Sequence, residues 1–212
     1  MVGIIFDLDG TLLDTLQDLT DAVNYTMRYY GCPERTLEEV KSFIGTGARN
    51  LIRYSLPGKA DDPDLDAVLA TYQAYYAAHA QDKTCPFPGI REALEKVASR
   101  HPIAVVSNKP DIAVKPLCAH YFGDHIFALG ETPEIPRKPA PDMVYKAMEA
   151  IGVDSCIYVG DSEPDVTTAK NAGCKCLSVL WGFRDEECLR QAGAAYFCHD
   201  PKDLPAILES ML

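Results

Sequence analysis

The sequence predicts an α/β protein, a doubly wound parallel sheet with a Rossmann-like core into which a helical cap is inserted. Two observations carry the prediction. Short apolar runs, most of them apolar on both faces, alternate with helical patterns along the chain, as the strands of a helix-covered parallel sheet do. One interval breaks that rhythm, because about a hundred residues separate the first run from the second, where a whole βαβ unit needs about 30. The length of 212 residues suits one large domain or a core with a modest insert. With 47% hydrophobic and 24% charged residues, 14 glycines and 15 prolines, the composition is that of a globular enzyme rather than a disordered or fibrous chain.

Strands are expected at 2–6, 103–106, 126–129, 156–159 and 176–180, with a weaker run at 195–198. Helical patterns fall between them at 89–100, 111–120, 141–151, 163–172 and 201–211, which gives βα units with right-handed crossovers. The interruption reads as helix throughout. Leu16, Leu19, Val23, Met27 and Tyr30 fall at steps of three or four, Thr15 with Asp18 resembles a capping box, and Gly31 can end that helix. Further helices are expected at 36–44, 48–55 and 63–79, and Pro86-Phe87-Pro88-Gly89 marks the return to the core. The expected division is a core of 1–14 with 85–212 and a cap of 15–84.

Lysine and arginine number 20 and aspartate and glutamate 31, for a net charge of −11. Such a field repels a phosphodiester backbone and an anionic leaflet, which argues against nucleic-acid and membrane partners. The first residues carry no basic segment, and their apolar stretch ends after Phe6, short of a signal sequence or a span of about 20 residues, so a cytoplasmic protein is expected. The eight cysteines are scattered through a chain long enough to fold without staples, and reduced thiols are expected. Cys174 and Cys176 are the one close pair. With no second pair they read as part of a buried strand rather than a metal site.

Polar residues punctuate the chain just past the apolar runs: Asp7-Leu8-Asp9-Gly10-Thr11 after the first, Ser107-Asn108 after the second, and Asp161 after Tyr158-Val159-Gly160. In an open parallel sheet ligands bind at the carboxyl ends of the strands, so these groups are expected to share one crevice. An isolated Asp-x-Asp-Gly also suits a simple turn after a strand. Here Gly160-Asp161-Ser162-Glu163-Pro164-Asp165 adds further carboxylates, and four acids in one crevice repel each other unless a divalent cation sits among them. Few, hard oxygen ligands point to Mg²⁺.

Asp7-x-Asp9-Gly10-Thr11-Leu12, then Ser107-Asn108, Lys138-Pro139 and Gly160-Asp161 with Asp165, resembles in order and spacing the haloacid dehalogenase-like hydrolase superfamily. The resemblance spans the chain. In detail it is similar to the phosphoglycolate phosphatase-like branch, through Asp18-Leu19, Ala22-Val23-Asn24, Phe43-Ile44-Gly45-Thr46-Gly47, Pro86-Phe87-Pro88-Gly89, Ser107-Asn108-Lys109-Pro110, Lys138-Pro139-Ala140-Pro141 and Trp181-Gly182-Phe183. The resemblance implies a phosphatase acting through an aspartyl-phosphate, with 2-phosphoglycolate as the expected substrate and a small phosphorylated metabolite as the expected partner of a monomer or homodimer.

By the same resemblance Asp7 is the nucleophile, and Mg²⁺ is held by Asp7, the main-chain carbonyl of Asp9 and Asp161. Asp9 protonates the leaving oxygen and then takes a proton from water. Ser107 gives its hydroxyl to the phosphoryl group, Gly10 and Asn108 give main-chain N–H groups, and Lys138 stabilises the transferring charge. Asp165 orients Lys138 or a metal-bound water, Glu163 is an acidic neighbour, and Thr11 bonds within the nucleophile loop or toward substrate. In the Gly45–Arg49 segment two glycines precede a helix, and Arg49 either pairs a substrate carboxylate or is a solvated arginine. Trp181, Tyr72, Tyr75 and Tyr76 are expected to pack. A sugar phosphomutase shares the pattern, a dehalogenase lacks the second aspartate, and a phosphoaccepting receiver domain is smaller and places its acceptor after an internal strand.

Overall fold

A computed structural model gives the fold, and it describes residues 1–59 and 62–212; residues 60 and 61 of the expected cap lie outside the described part. The chain begins with β1 (Val2–Phe6), whose side chains alternate. Ile4 and Phe6 enter one hydrophobic layer and Ile5 the other, all fully buried. A strand with two apolar faces needs helices on both, and it has them.

After β1 come β2 (Leu13–Asp14) and the insert of α1 (Leu16–Tyr29), α2 (Leu37–Phe43), α3 (Ala48–Ser55) and α4 (Leu65–His79), then β3 (Cys85–Pro86). The core resumes with α5 (Ile90–Ala98), β4 (Ile103–Pro110), α6 (Asp111–Phe122), β5 (Phe127–Glu131), α7 (Asp142–Ile151), β6 (Ser155–Gly160), α8 (Glu163–Ala172), β7 (Lys175–Val179), α9 (Glu186–Gln191), β8 (Tyr196–Cys198) and α10 (Leu204–Met211). The six long strands form one parallel sheet in the order β5-β4-β1-β6-β7-β8. Helix α7 covers one face through Met143, Val144 and Ala147. On the other, Leu94 and Val97 of α5, Leu117 of α6 and Leu208 of α10 pack beneath the sheet.

This order places the chain reversal at β1. From β1 the chain goes outward to β4 and β5 on one side, then returns to β6, β7 and β8 on the other, so the crevice opens beside β1. Register aligns the strand ends: Phe6 is level with Val105 on one side and Val159 on the other. Residues just past these positions therefore emerge together.

The insert is tied to the core by the β2 and β3 pair, Leu13 opposite Pro86 and Asp14 opposite Cys85. Its helices bury Leu19, Val23, Met27, Ile52, Val68, Tyr72 and Tyr76 in a layer continuous with the sheet's. The capping box expected of Thr15 and Asp18 does not form. Thr15 has no side-chain bond at the start of α1, and buried Asp18 instead accepts from the Lys83 N–H at 3.0 Å and from the Thr84 N–H and hydroxyl at 2.8 Å. A carboxylate buried at the base of the insert needs several donors, and the returning chain supplies more than the helix terminus can.

Candidate active site

Three neighbouring strand ends deliver the acidic and polar groups into a cleft of about 430 Å³ between the sheet edge and the insert. At the end of β1, the Asp7 N–H continues the ladder by donating to Val159 O at 2.8 Å. Asp7 is buried, and its Oδ1 accepts from the Leu8 N–H at 2.7 Å and pairs with Lys138 Nζ at 2.9 Å. Oδ2 has no protein donor among the described residues. Burial, then the charge of Asp165, pushes the Asp7 carboxyl well above the usual carboxylate range, against the pull of Lys138.

Asp161, past β6, is held from both sides: Oδ1 accepts from the Thr11 hydroxyl at 3.0 Å and Oδ2 from the Phe183 N–H at 2.8 Å. Burial and then the charge of Asp165 push it up to about 7. The nucleophile loop can approach this closely because Gly10, at φ +82°, has no Cβ; one would overlap the Asp161 carboxyl.

Asp165, in the first turn of α8, is filled by donors. Oδ1 accepts from Lys138 Nζ at 2.7 Å and the Tyr158 hydroxyl at 3.1 Å, and Oδ2 from the Ser162 N–H at 3.0 Å and hydroxyl at 2.5 Å. Burial works against the charge of Lys138, but Asp165 and Asp7 overcome it and hold the ammonium above the usual lysine range. Asn108 fixes the lysine's backbone: its Oδ1 accepts from the Lys138 N–H at 2.8 Å, and its Nδ2 donates to Lys138 O at 3.0 Å and to Gly45 O of the insert at 3.1 Å.

Asp7, Asp161 and Asp165 each offer a carboxylate oxygen within 4.8 Å of the others, close enough to hold a metal ion. The donor chemistry fits a hard divalent cation: three buried carboxylates face one lysine, and the charges of Asp7 and Asp161 are disfavoured by burial. With Asp165 saturated by its donors, Asp7 and Asp161 are the side chains left to bind it.

Asp7, Asp9, Ser107, Asn108, Lys138 and Asp161 all line the cleft. Four expectations need correction. Arg49 pairs with Asp66 on the surface of the insert and is not among the lining residues, although Gly47 and Ala48 beside it are. Thr11 is fully buried and serves Asp161, not a substrate. The Gly10 N–H is taken by Leu13 O at 2.9 Å within its own loop. Glu163 turns to Arg184 at 2.9 Å, away from the acidic cluster.

Three participants escaped the sequence reading. Lys109 Nζ grips both oxygens of Asp9, at 2.9 and 2.7 Å. Tyr158 supports Lys138 and Asp165 from inside β6, where it reads only as an apolar strand residue. Arg184 joins Glu163 of the core to the carbonyl oxygens of Lys41, Ser42 and Ile44 at the end of α2. A basic residue after a strand was the one available signal, and it was present for Lys109.

A doubly wound sheet whose switch point gathers a buried aspartate, a lysine and further acids is built for phosphoryl transfer. The chain belongs to the haloacid dehalogenase-like hydrolases, whose family pattern it matches over residues 4–179, and it is a phosphatase. It is 34% identical to a phosphoglycolate phosphatase of Rhodobacter capsulatus, over 98% of this chain and 96% of that one. A second phosphoglycolate phosphatase, from Pseudomonas putida strain KT2440, is also 34% identical, over 85% of this chain and 70% of its own length. Among solved structures, one from Lactobacillus delbrueckii subsp. bulgaricus superposes with a TM-score of 0.89 at 38% identity, covering 97% of this chain and 98% of that one. A predicted phosphoglycolate phosphatase from Haemophilus somnus gives 0.86 at 27%, over 97% and 96%. Among the described residues no helix is long and apolar enough to cross a membrane.

Proposed function

We propose that the enzyme is a Mg²⁺-dependent, cytoplasmic phosphomonoesterase that hydrolyses 2-phosphoglycolate to glycolate and phosphate through an aspartyl-phosphate on Asp7. One observation supports this reading above the others. Asp7 has one oxygen pinned by Leu8 and Lys138 and the other without a protein donor, at the edge of a cleft sized for a small ester. The names of the relatives support the substrate.

In the first half-reaction an Asp7 oxygen attacks phosphorus in line, the bond from phosphorus to the leaving oxygen breaks, and that oxygen takes a proton from Asp9. In the second, Asp9 takes a proton from water, the water oxygen attacks phosphorus, and the bond to Asp7 breaks to release phosphate. Each charge pair between a carboxylate and a phosphate dianion at 4 Å costs about 1 kcal/mol in water and about 4 at an effective dielectric of 20. Lys138 offsets part of that cost, and the Ser107 hydroxyl can donate to a phosphoryl oxygen. Mg²⁺, held by Asp7, Asp161 and the Asp9 carbonyl, would supply the remaining charge neutralisation. The insert acts as the cap that excludes bulk water and receives the leaving group.

The test is phosphate release from 2-phosphoglycolate and other small phosphorylated metabolites. Mg²⁺ should support turnover, excess chelator should stop it, and Asp7→Asn should abolish it in a folded protein. Turnover that survives the chelator, or an active Asp7→Asn, contradicts the reading.

A further inference from the structure

The cations lining the cleft are not equally committed. Lys138 is bound to Asp7 and Asp165, and Arg184 to Glu163 and the end of α2. Lys109 is different, because the anion it holds is Asp9, the group that must be released to meet the leaving oxygen. Both side chains are largely buried, with 4% and 12% of their surface exposed. The pair therefore stands on the leaving-group side of the site, where an incoming anion meets Lys109 in a poorly screened setting.

A second group points to a ligand at the same place. Tyr76 of α4 sets its ring 4.7 Å from Lys109 Nζ and lines the same cleft. The residue is 5% exposed, yet its hydroxyl is buried with no hydrogen-bond partner among the described residues. A buried hydroxyl left unpaired is costly unless a ligand supplies the partner. Around these two groups the wall is mostly apolar, with Leu19, Ala48, Leu51, Ala77 and Leu117, and Tyr72, Gln73 and Gln81 also reach the lining. One cation beside a buried, unpaired hydroxyl in a mostly apolar wall suits a small leaving group with a single anionic end.

We propose that Lys109 and the Tyr76 hydroxyl receive a carboxylate on the leaving group, so that the enzyme selects phosphate esters of small hydroxy acids over esters of uncharged alcohols. This rests on the phosphatase reading above and assigns the recognition first sought at Arg49. When the carboxylate binds, Lys109 exchanges Asp9 for the substrate, and Asp9 is left facing the leaving oxygen. A substrate without a carboxylate leaves the Lys109 and Asp9 pair closed.

The experiment compares kcat/KM for 2-phosphoglycolate with that for ethyl phosphate in wild type, Lys109→Met, Lys109→Arg, Tyr76→Phe and Arg49→Ala. Lys109→Met should slow 2-phosphoglycolate but not ethyl phosphate, for which the closed pair only withholds Asp9, so the preference for 2-phosphoglycolate should fall by about 10- to 100-fold, carried mainly by KM. Lys109→Arg should restore part of that preference. Tyr76→Phe, which keeps the ring, should lower it by about 3- to 10-fold. Arg49→Ala should leave it unmoved. An unchanged preference in Tyr76→Phe together with equal losses on both substrates in the Lys109 variants would overturn the proposal, as would a wild type that favours ethyl phosphate. Failure of the phosphatase reading looks different, because Asp7→Asn would then keep its activity on both esters.

Discussion

Asp161 shows how the site is built against its own stability. Its carboxylate is buried beside Asp7 and Asp165, and its carboxyl is pushed up to about 7, so in the absence of a cation its charge is a cost to the fold. A divalent ion bound at hundredfold excess over its dissociation constant adds about 2.7 kcal/mol. For a chain of this size that is a rise of about 5–10 °C in Tm. Thermal unfolding with Mg²⁺ against chelator should show such a rise in wild type and little in Asp161→Asn. In chelator the variant should be at least as stable as wild type, because the amide removes one of three crowded charges. A variant that Mg²⁺ stabilises as much as wild type would remove Asp161 from the metal site. Lys138 is the complementary case, held charged by Asp165 and Asp7, with Tyr158 and Asn108 fixing its head and backbone.

At the scale of elements, the insert meets the core through a few polar ties as well as through its apolar layer. Arg184, between β7 and α9, holds the end of α2 through three carbonyl oxygens while Glu163 neutralises it. Arg184→Ala should cost about 1.5–3 kcal/mol, the range for hydrogen bonds to a charged group. Hydrogen exchange should quicken in α2 and α3 and not in the sheet; equal quickening in both would make Arg184 a support of the core instead. The sequence made the long strands and helices legible because their apolar periods differ so clearly, β1 and α8 falling on their expected bounds. It hid β2 and β3, two residues each, and α9, a six-residue helix, since such elements carry too few side chains to show a period. The acids were legible because they come just past apolar strands, Asp7 after β1 and Asp161 after β6, whereas Lys138, in the loop before α7, was legible only through the family resemblance. The partners of Arg49 were not, because only the packing of α3 against α4 sets its guanidinium beside Asp66 rather than in the cleft. Asp18 was misread for a similar reason: its donors come from Lys83 and Thr84, far along the chain.

For the molecule as a whole, the sheet order is what turns separate motifs into one site. Because β1 lies between β4 and β6, Asp7, Ser107 and Asp161 leave three adjacent strands at one edge, and Lys138 reaches them from the loop before α7. The insert, placed between β2 and β3, lies over that edge with Tyr76 and Leu51 in the wall of the cleft. The net charge of −11 surrounds a site that must accept an anionic ester, so the lysines of the cleft, with the cation proposed for Asp7 and Asp161, would supply the local attraction. The proposed function turns on one event, the transfer of a phosphoryl group to Asp7. The most direct test is to quench the enzyme within its first turnover of 2-phosphoglycolate with Mg²⁺ and to map the phosphorylated peptide by mass spectrometry. The account predicts one phosphoryl group on Asp7, accumulating further in Asp9→Asn and absent from Asp7→Asn. Full-rate turnover with no phosphoryl group on Asp7 at any quench time would contradict it.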